Sequence, residues 1–198
     1  MADYRAVVAV GEAIVQLLRQ HYRVADFNNE LDFRIYLAKD FAEPMNAGVS
    51  VFLYRIFPNG LGQNHAWRAN GGPATQNQLP VDLHFLLSAW AQDASLQHTI
   101  AGWMMRTLQD TPILPTGLLN QKFPGLFRPD EVITLAPAEL TTEELFRMWE
   151  VIVNHSYQLS IPYVARTVRI DSIKGGVEGG EVVRERVLDV GEPDGGAA

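Results

Sequence analysis

The stretch that decides the fold is residues 80–116, PVDLHFLLSAWAQDASLQHTIAGWMMRTLQDTPILPT. Its first ten residues predict a β-strand, because Asp82 and His84 alternate with apolar residues in the period-2 pattern of a strand with one buried face. The apolar members are Val81, Leu83, Phe85 and Leu87. Pro80 is expected at the start of the strand, where the N–H that proline lacks costs least.

The second half of the same stretch predicts a helix over about residues 94–110. Asp93 and Ser95 are the two N-cap candidates, since both side chains accept hydrogen bonds from the first turn of a helix. The helix then ends at a connector with two prolines, TPILPTGLLN at 111–120. Apolar residues recur along it at helical spacing, which predicts one buried stripe: Leu96, Ile100, Trp103, Met104 and Leu108.

The residues before this stretch predict one helix and two strands. Residues 3–22 form an amphipathic pattern with Asp3 as N-cap candidate, and residues 33–38 alternate as a strand does. Residues 49–57, VSVFLYRIF, are apolar on both faces, which favours a central strand. The Gly- and Asn-rich segment 59–78 is expected to join it to the next strand as a long antiparallel hairpin.

The residues after it predict a second capped helix and the strands that close the domain. Thr141 and Glu144 have the spacing of a capping box at the start of a helix. Short strands are expected at 132–135 and at 163–170, the latter with Arg166 and Arg169 on opposite faces. The fold class predicted is α+β: a single domain with a mixed, mainly antiparallel sheet of four to five strands and about three helices over one face.

The chain divides into a body, residues 1–170, and a tail, residues 171–198. The tail opens with a glycine-rich linker, SIKGGVEGGE, and seven acidic against three basic residues give it −4 of the total net charge of −7. Residues 182–190, VVRERVLDV, alternate as a strand does, and a strand on a tether is typical of β-augmentation, in which it joins the sheet edge of another chain. The alternative is a disordered acidic tail.

Neither the composition nor the motifs of the chain suggest a set of catalytic residues. The chain has no cysteine, and no apolar run is long enough to span a bilayer. The Walker A, dinucleotide and nucleophile-elbow motifs are absent. Asp82 and His84 point to one strand face, but no third ligand is near in sequence, so a structural role is expected and no metal or other cofactor. The acidic net charge argues against nucleic acid as the main partner.

Several stretches of the chain resemble one family in order. They include VVAVGEAIVQLLRQHY at 7–22, VSVFLYRIFPN at 49–59 and residues 80–116, followed by TPILPTGLLN at 111–120, LTTEELFRMWEVI at 140–152 and YQLSIPYVARTVRI at 157–170. The resemblance covers about the first 170 residues, and it is to the tail-terminator or cap proteins of extracellular contractile injection systems of the antifeeding-prophage and virulence-cassette type. Some larger relatives carry an additional C-terminal domain, and functions that belong to that domain are not carried over to this chain.

The resemblance implies a structural protein and not an enzyme. By that resemblance, six copies form a ring on the last layer of the inner tube and sheath, at the end distal to the baseplate. Its partners are then further copies of itself and the sheath and tube proteins, with no nucleic acid and no membrane. It is expected in the cytoplasm during assembly and afterwards in a released extracellular particle. The alternative is an adaptor that binds another particle component or cargo.

Position and composition, and not the resemblance, suggest which residues meet a partner. Trp67 lies in the long hairpin segment, where it either folds back on the body or contacts a neighbouring subunit, since tryptophan is enriched at interface hot spots. The candidate interface residues are Trp67, Arg166, Arg169, Val182, Arg184, Arg186, Leu188 and Val190.

Overall fold

The computed structural model describes residues 2–59, 78–152 and 157–172. Three helices are long: α1 (Ala6–His21), α3 (Ala94–Asp110) and α5 (Thr142–Ile152). The short ones are α2 (Val24–Phe27), α4 (Thr116–Leu119) and the 3₁₀ helix η1 (Ala38–Ala42). The strands are β1 (Asp32–Tyr36), β2 (Gly48–Pro58), β3 (Gln78–Trp90), β4 (Thr134–Pro137) and β5 (Ser160–Asp171).

The five strands form one mixed sheet in the order β1-β2-β3-β5-β4. Only β1 and β2 are parallel, while β2 with β3, β3 with β5 and β5 with β4 are antiparallel. The predicted α+β class and the hairpin of β2 with β3 are therefore confirmed. The strand predicted at 132–135 is β4, displaced by two residues, and β3 begins two residues before Pro80.

Helix α1 packs against the middle of the sheet along its apolar stripe. Its buried residues include Val10, Ile14 and Leu17. Gly11 lies at the closest approach, because a Cβ there would be 3.4 Å from Ile35 on β1 and 3.7 Å from Phe85 on β3. The prediction of Asp3 as the N-cap residue is wrong, because the helix begins at Ala6 and Arg5 holds the N-cap position. The Oδ1 of Asp3 instead accepts from the backbone N–H of Arg5 at 2.8 Å.

The predicted junction of β3 and α3 is present, with Asp93 as the residue that caps the helix. Its Oδ1 accepts from the backbone N–H of Leu96 at 2.9 Å. Ile100, Met104 and Leu108 of the predicted stripe are buried. Trp103 is half-buried in an aromatic cluster with ring centroids 5.3–6.4 Å apart, where it meets Tyr22, Phe27 and Phe33.

The opposite face of the sheet is also covered over half its length, so the expectation that helices cover one face alone is wrong. Helix α5 and η1 lie over this second face and bury a separate apolar cluster. The capping box of α5 is confirmed, since Thr141 Oγ1 accepts from the N–H of Glu144 at 3.2 Å and Glu144 Oε2 accepts from the N–H of Thr141 at 2.9 Å. The cluster comprises Tyr36, Phe41, Met45, Leu86, Trp90 and Trp149.

Buried serines lie among the apolar residues of this second face. Trp90 Nε1 donates to Ser50 Oγ at 2.8 Å, and the hydroxyls of Ser88 and Ser160 are 2.8 Å apart. Each of these three hydroxyls and the indole N–H of Trp90 has a partner, which is the condition under which polar groups can be buried at low cost. An alternation of serine with apolar residues therefore marks two covered faces here, although it is the usual pattern of one exposed face.

Among the described residues, none of the helices combines the length and the hydropathy that crossing a bilayer requires. Strand β5 ends at Asp171, next to the predicted boundary between body and tail. The tail strand at 182–190 and Trp67 both lie outside the described residues.

Candidate assembly surface

One end of the sheet holds the strand ends from which two segments that were predicted to meet a partner continue. There β2 ends at Pro58, β3 begins at Gln78 and β5 ends at Asp171. Gln78 and Asp171 are paired across the two strands, and Gln78 Nε2 donates to Asp171 Oδ1 at 2.7 Å. We call this the open end of the sheet. The segment that contains Trp67 and the segment that contains the tail both connect to it.

A β-bulge in β5 shapes the open end. Val81 and Leu83 on β3 pair with Val168 and Ala165 on β5, so two residues of β5 oppose one of β3. Thr167, within the bulge, has a φ of 64°, which is rare for a β-branched residue. The bulge interrupts the alternation on which opposite faces for the two arginines had been expected.

The side chain of Asp82 holds the bulge to the end of β2. Its Oδ1 accepts from the backbone N–H of Thr167 at 3.0 Å. Asn59 Nδ2 lies 3.4 and 3.3 Å from its two carboxylate oxygens. The carboxylate therefore has a structural role, and within the described residues no three potential ligands stand close enough to hold a metal ion.

His84 is half-buried on the same strand face as Asp82. Its ring lies edge-to-face to that of Tyr54, with centroids 5.9 Å apart. Burial lowers the pKa of His84, and the neighbouring charges of Arg55 and Arg166 lower it further against the opposing effect of Asp82. The neutral imidazole is thus the form that this face favours.

The two predicted interface arginines are exposed residues of β5. Arg166 is exposed and pairs with Thr134 of β4. Arg169 is exposed beyond the end of β4, where it borders a cleft of about 140 Å³. The remaining residues that line the cleft are Phe127, Asp130, Glu131, Val132, Ile133 and Thr167. Arg169 therefore lies at a concave site, whereas Arg166 lies near His84.

The open end also exposes apolar side chains that sequence reasoning missed. Ile56, Phe57 and Leu79 are 44–49% exposed, and the Arg55 guanidinium lies over the Phe57 ring at 4.7 Å from its centroid. The prediction of a central strand at 49–57 is confirmed, since β2 lies between β1 and β3, but burial decreases along the strand and its last four residues are exposed. The signal in the sequence that could have indicated this exposure was Pro58 with the polar segment after it, which mark the end of the strand. Exposed apolar residues in a group are typical of protein interfaces.

Comparisons with known proteins place this fold beside terminators of contractile injection systems. A family model described as the Pvc16 N-terminal domain matches residues 9–184. The sheath/tube terminator of the PVC extracellular contractile injection system, in its extended state, is similar at 17% identity and a TM-score of 0.59, over 96% of this chain and 64% of that chain. The tube-terminating cap of the anti-feeding prophage is similar at 19% identity and a TM-score of 0.60, over 90% and 60%.

The chain thus spans less than two thirds of either of these terminators. No curated protein matches it.

Proposed function

We propose that this chain, which belongs to the Pvc16 N-terminal domain family, is a structural cap that ends the inner tube and sheath of a contractile injection particle. The observation that carries the proposal is the extent of the fold likeness: two terminators of such particles share the fold over 96% and 90% of this chain. Its role is then one of binding and not of chemistry.

The cap acts as a ring of six copies at the end distal to the baseplate. Each subunit of a ring presents one face to a different face of the next, so the contacts are heterologous. The particle components it meets are the last layers of tube and sheath. Nucleic acid and membrane are not among its partners. It joins the particle in the cytoplasm and leaves the cell with it.

The open end of the sheet is the surface proposed to meet these partners. It combines exposed apolar residues, Phe57 among them, with exposed arginines, and aromatic residues and arginine are enriched at protein interfaces. The two chain segments that connect to it contain the other residues proposed to contact a partner. Trp67 belongs to one segment, and the other contains Val182, Arg184, Arg186, Leu188 and Val190.

The function is tested by the length of the particles. In cells that assemble the particle, tubes made with this chain should be uniform in length, whereas tubes made without it should vary widely, as electron microscopy of purified particles would show. Tubes of uniform length in its absence would contradict the proposal. Length control that persists while a cargo is lost would favour an adaptor.

A truncation tests the part played by the tail. A chain that ends at Ser172 keeps all five strands and should unfold like the full chain, but it should no longer sediment with sheathed tubes. The matched control is a chain that ends at Val190, which keeps the predicted tail strand and should sediment normally. If both truncated chains sedimented equally with sheathed tubes, the tail would not be part of the contact surface.

A further inference from the structure

The outer edge of β5 is paired with another strand over only part of its length. On its inner side β5 pairs with β3 from Ser160 to Asp171. On its outer side β4 pairs with it only from Tyr163 to Arg166. Within the described residues, the outer edge from Thr167 to Asp171 therefore carries no strand.

At this edge the backbone N–H and C=O groups of Arg169 point away from β3. Its partner on β3 is Pro80, whose carbonyl oxygen accepts from Asn59 on the other side of β3 at 2.9 Å. Two residues further along, the N–H of Asp171 also points outward, since it donates to the carbonyl of Ala2 at 2.8 Å. Residues two apart on a strand direct their backbone groups to the same edge, so the N–H and C=O of Arg169 face outward too.

The cleft of about 140 Å³ lies directly beside this edge. Phe127 and Ile133 are buried and give it apolar walls, while Val132 is 55% exposed at its rim. Asp130 and Glu131 contribute negative charge from the segment before β4, opposite the positive charge of Arg169 on β5. Among the described residues, the site thus offers backbone groups of Arg169 without a strand partner, a place for an apolar side chain and charges of both signs.

We propose that this edge and its cleft accept residues 182–190 from the tail of a second copy, as an added strand. An edge strand is a template for such pairing, with backbone hydrogen bonds for affinity and side-chain pockets for specificity. The tail segment is complementary in charge: in the strand that its sequence predicts, alternation assigns Arg184 and Arg186 to one face and Glu185 and Asp189 to the other. This inference rests on the proposed function, since it supplies the contact between neighbours in the ring.

The contact of Asp171 with Ala2 favours a second copy over the same chain as the donor. A tail that folded back on its own β5 would have to pass this contact, because the tail leaves the strand at Asp171. The N–H of Asp171 is already bonded to Ala2. A strand that arrives from a neighbour has no such requirement, because it meets the edge first at Arg169 and the cleft. In this arrangement each chain donates its tail strand at one surface and accepts a neighbour's strand at another. Such a pairing of two different surfaces is what a heterologous ring requires.

Disulfide cross-linking tests the proposal cleanly, because the chain has no cysteine of its own. Full chains that carry Val132→Cys are mixed with full chains that carry Arg184→Cys, Arg186→Cys or Leu188→Cys, and the mixture is oxidised under conditions in which electron microscopy shows rings. At least one mixture should give a reducible species of two chains. The control is Val24→Cys, a valine of α2 with a similar 53% exposure, which should give several-fold less of that species.

A second form of the test separates a neighbour from the same chain. With both cysteines in one chain, the proposal expects linked chains of two or more, while a cross-link confined to single chains would overturn it. Rings without cross-links above the control would also overturn it and leave the proposed function standing. Failure to form rings, alone or on tube ends, would instead contradict the proposed function, and this inference with it.

Discussion

The carboxylate of Asp82 on β3 accepts a hydrogen bond of 3.0 Å from the backbone N–H of Thr167 on β5. This contact fixes the bulge that turns the outer side of β5 toward the cleft, because Thr167 is held at a positive φ. The same carboxylate meets Asn59 at the end of β2. One side chain therefore sets the positions of two of the three strands at the open end.

Replacing Asp82 should destabilise the domain more than replacing an exposed aspartate. Asp82→Ala removes a hydrogen bond from the Thr167 N–H to a charged carboxylate, which we expect to cost about 1–3 kcal/mol in the free energy of unfolding. Urea unfolding measures the loss. The control is Asp110→Ala, which removes only an exposed pair with Arg106 on α3 and should cost at most about 1 kcal/mol. Equal losses would mean that Asp82 does not hold the bulge.

Glycine is required at position 48 but not at position 102. Gly48 has a φ of 147°, and a Cβ there would lie 1.9 Å from the carbonyl oxygen of Asp32, at the start of the parallel pair of β1 with β2. Gly48→Ala should therefore cost at least about 2 kcal/mol. Gly102→Ala, in the exposed middle of α3 with open space around it, should stabilise by roughly 0.5–1 kcal/mol. Thermal unfolding of the two variants measures both changes, and shifts of the same sign would contradict this account.

Two buried tryptophans of the second face should differ in their tolerance of phenylalanine. Trp90 Nε1 donates to Ser50, whereas within the described residues the buried Nε1 of Trp149 has no hydrogen-bond partner. Both changes remove the same volume, so their difference in unfolding free energy isolates the hydrogen bond. Trp90→Phe should be the more destabilising by about 1–2 kcal/mol, by chemical denaturation. A larger loss for Trp149→Phe would indicate that its indole N–H is bonded in solution.

The lowered pKa of His84 predicts a loss of stability on mild acidification. The unfolded chain takes up a proton near the ordinary histidine pKa of 6.5, and the folded chain does so only at lower pH. The unfolded state thus binds more protons in this window, so stability is full above about pH 6.5 and falls as the pH drops toward the folded pKa.

His84→Gln should flatten the dependence of the unfolding midpoint on pH between about 7 and 5. His98→Gln, on the exposed side of α3, is the control and should leave the dependence as in the parent chain. A slope unchanged by His84→Gln would show that burial and the nearby arginines do not disfavour its protonation.

Local signals in the sequence were enough to predict the elements that depend on near neighbours. The capping box of Thr141 and Glu144 and the cap at Asp93 are satisfied within three residues, so their patterns can be recognised without the fold. The stripe of α3 is similarly direct, since helical periodicity and burial coincide there.

Features that depend on distant residues could not be predicted in this way. The second apolar cluster needs Ser50 to meet Trp90 across two strands, and the bulge needs Asp82 to meet Thr167 over 85 positions. Neither pairing leaves a periodic trace in the sequence. The cleft at Arg169 could not be predicted either, because it arises where β5 continues beyond its pairing with β4, which covers only Tyr163 to Arg166. The prediction of Arg166 and Arg169 as interface residues used only their place in the last strand.

Cryo-electron microscopy of the purified chain mixed with sheathed tubes tests the central claim most directly. The account predicts a six-fold ring of density on the end distal to the baseplate, into which this fold fits with the open end of its sheet against a neighbouring subunit or the tube. Bare ends, together with a chain that stays monomeric or dimeric in the same sample, would contradict it.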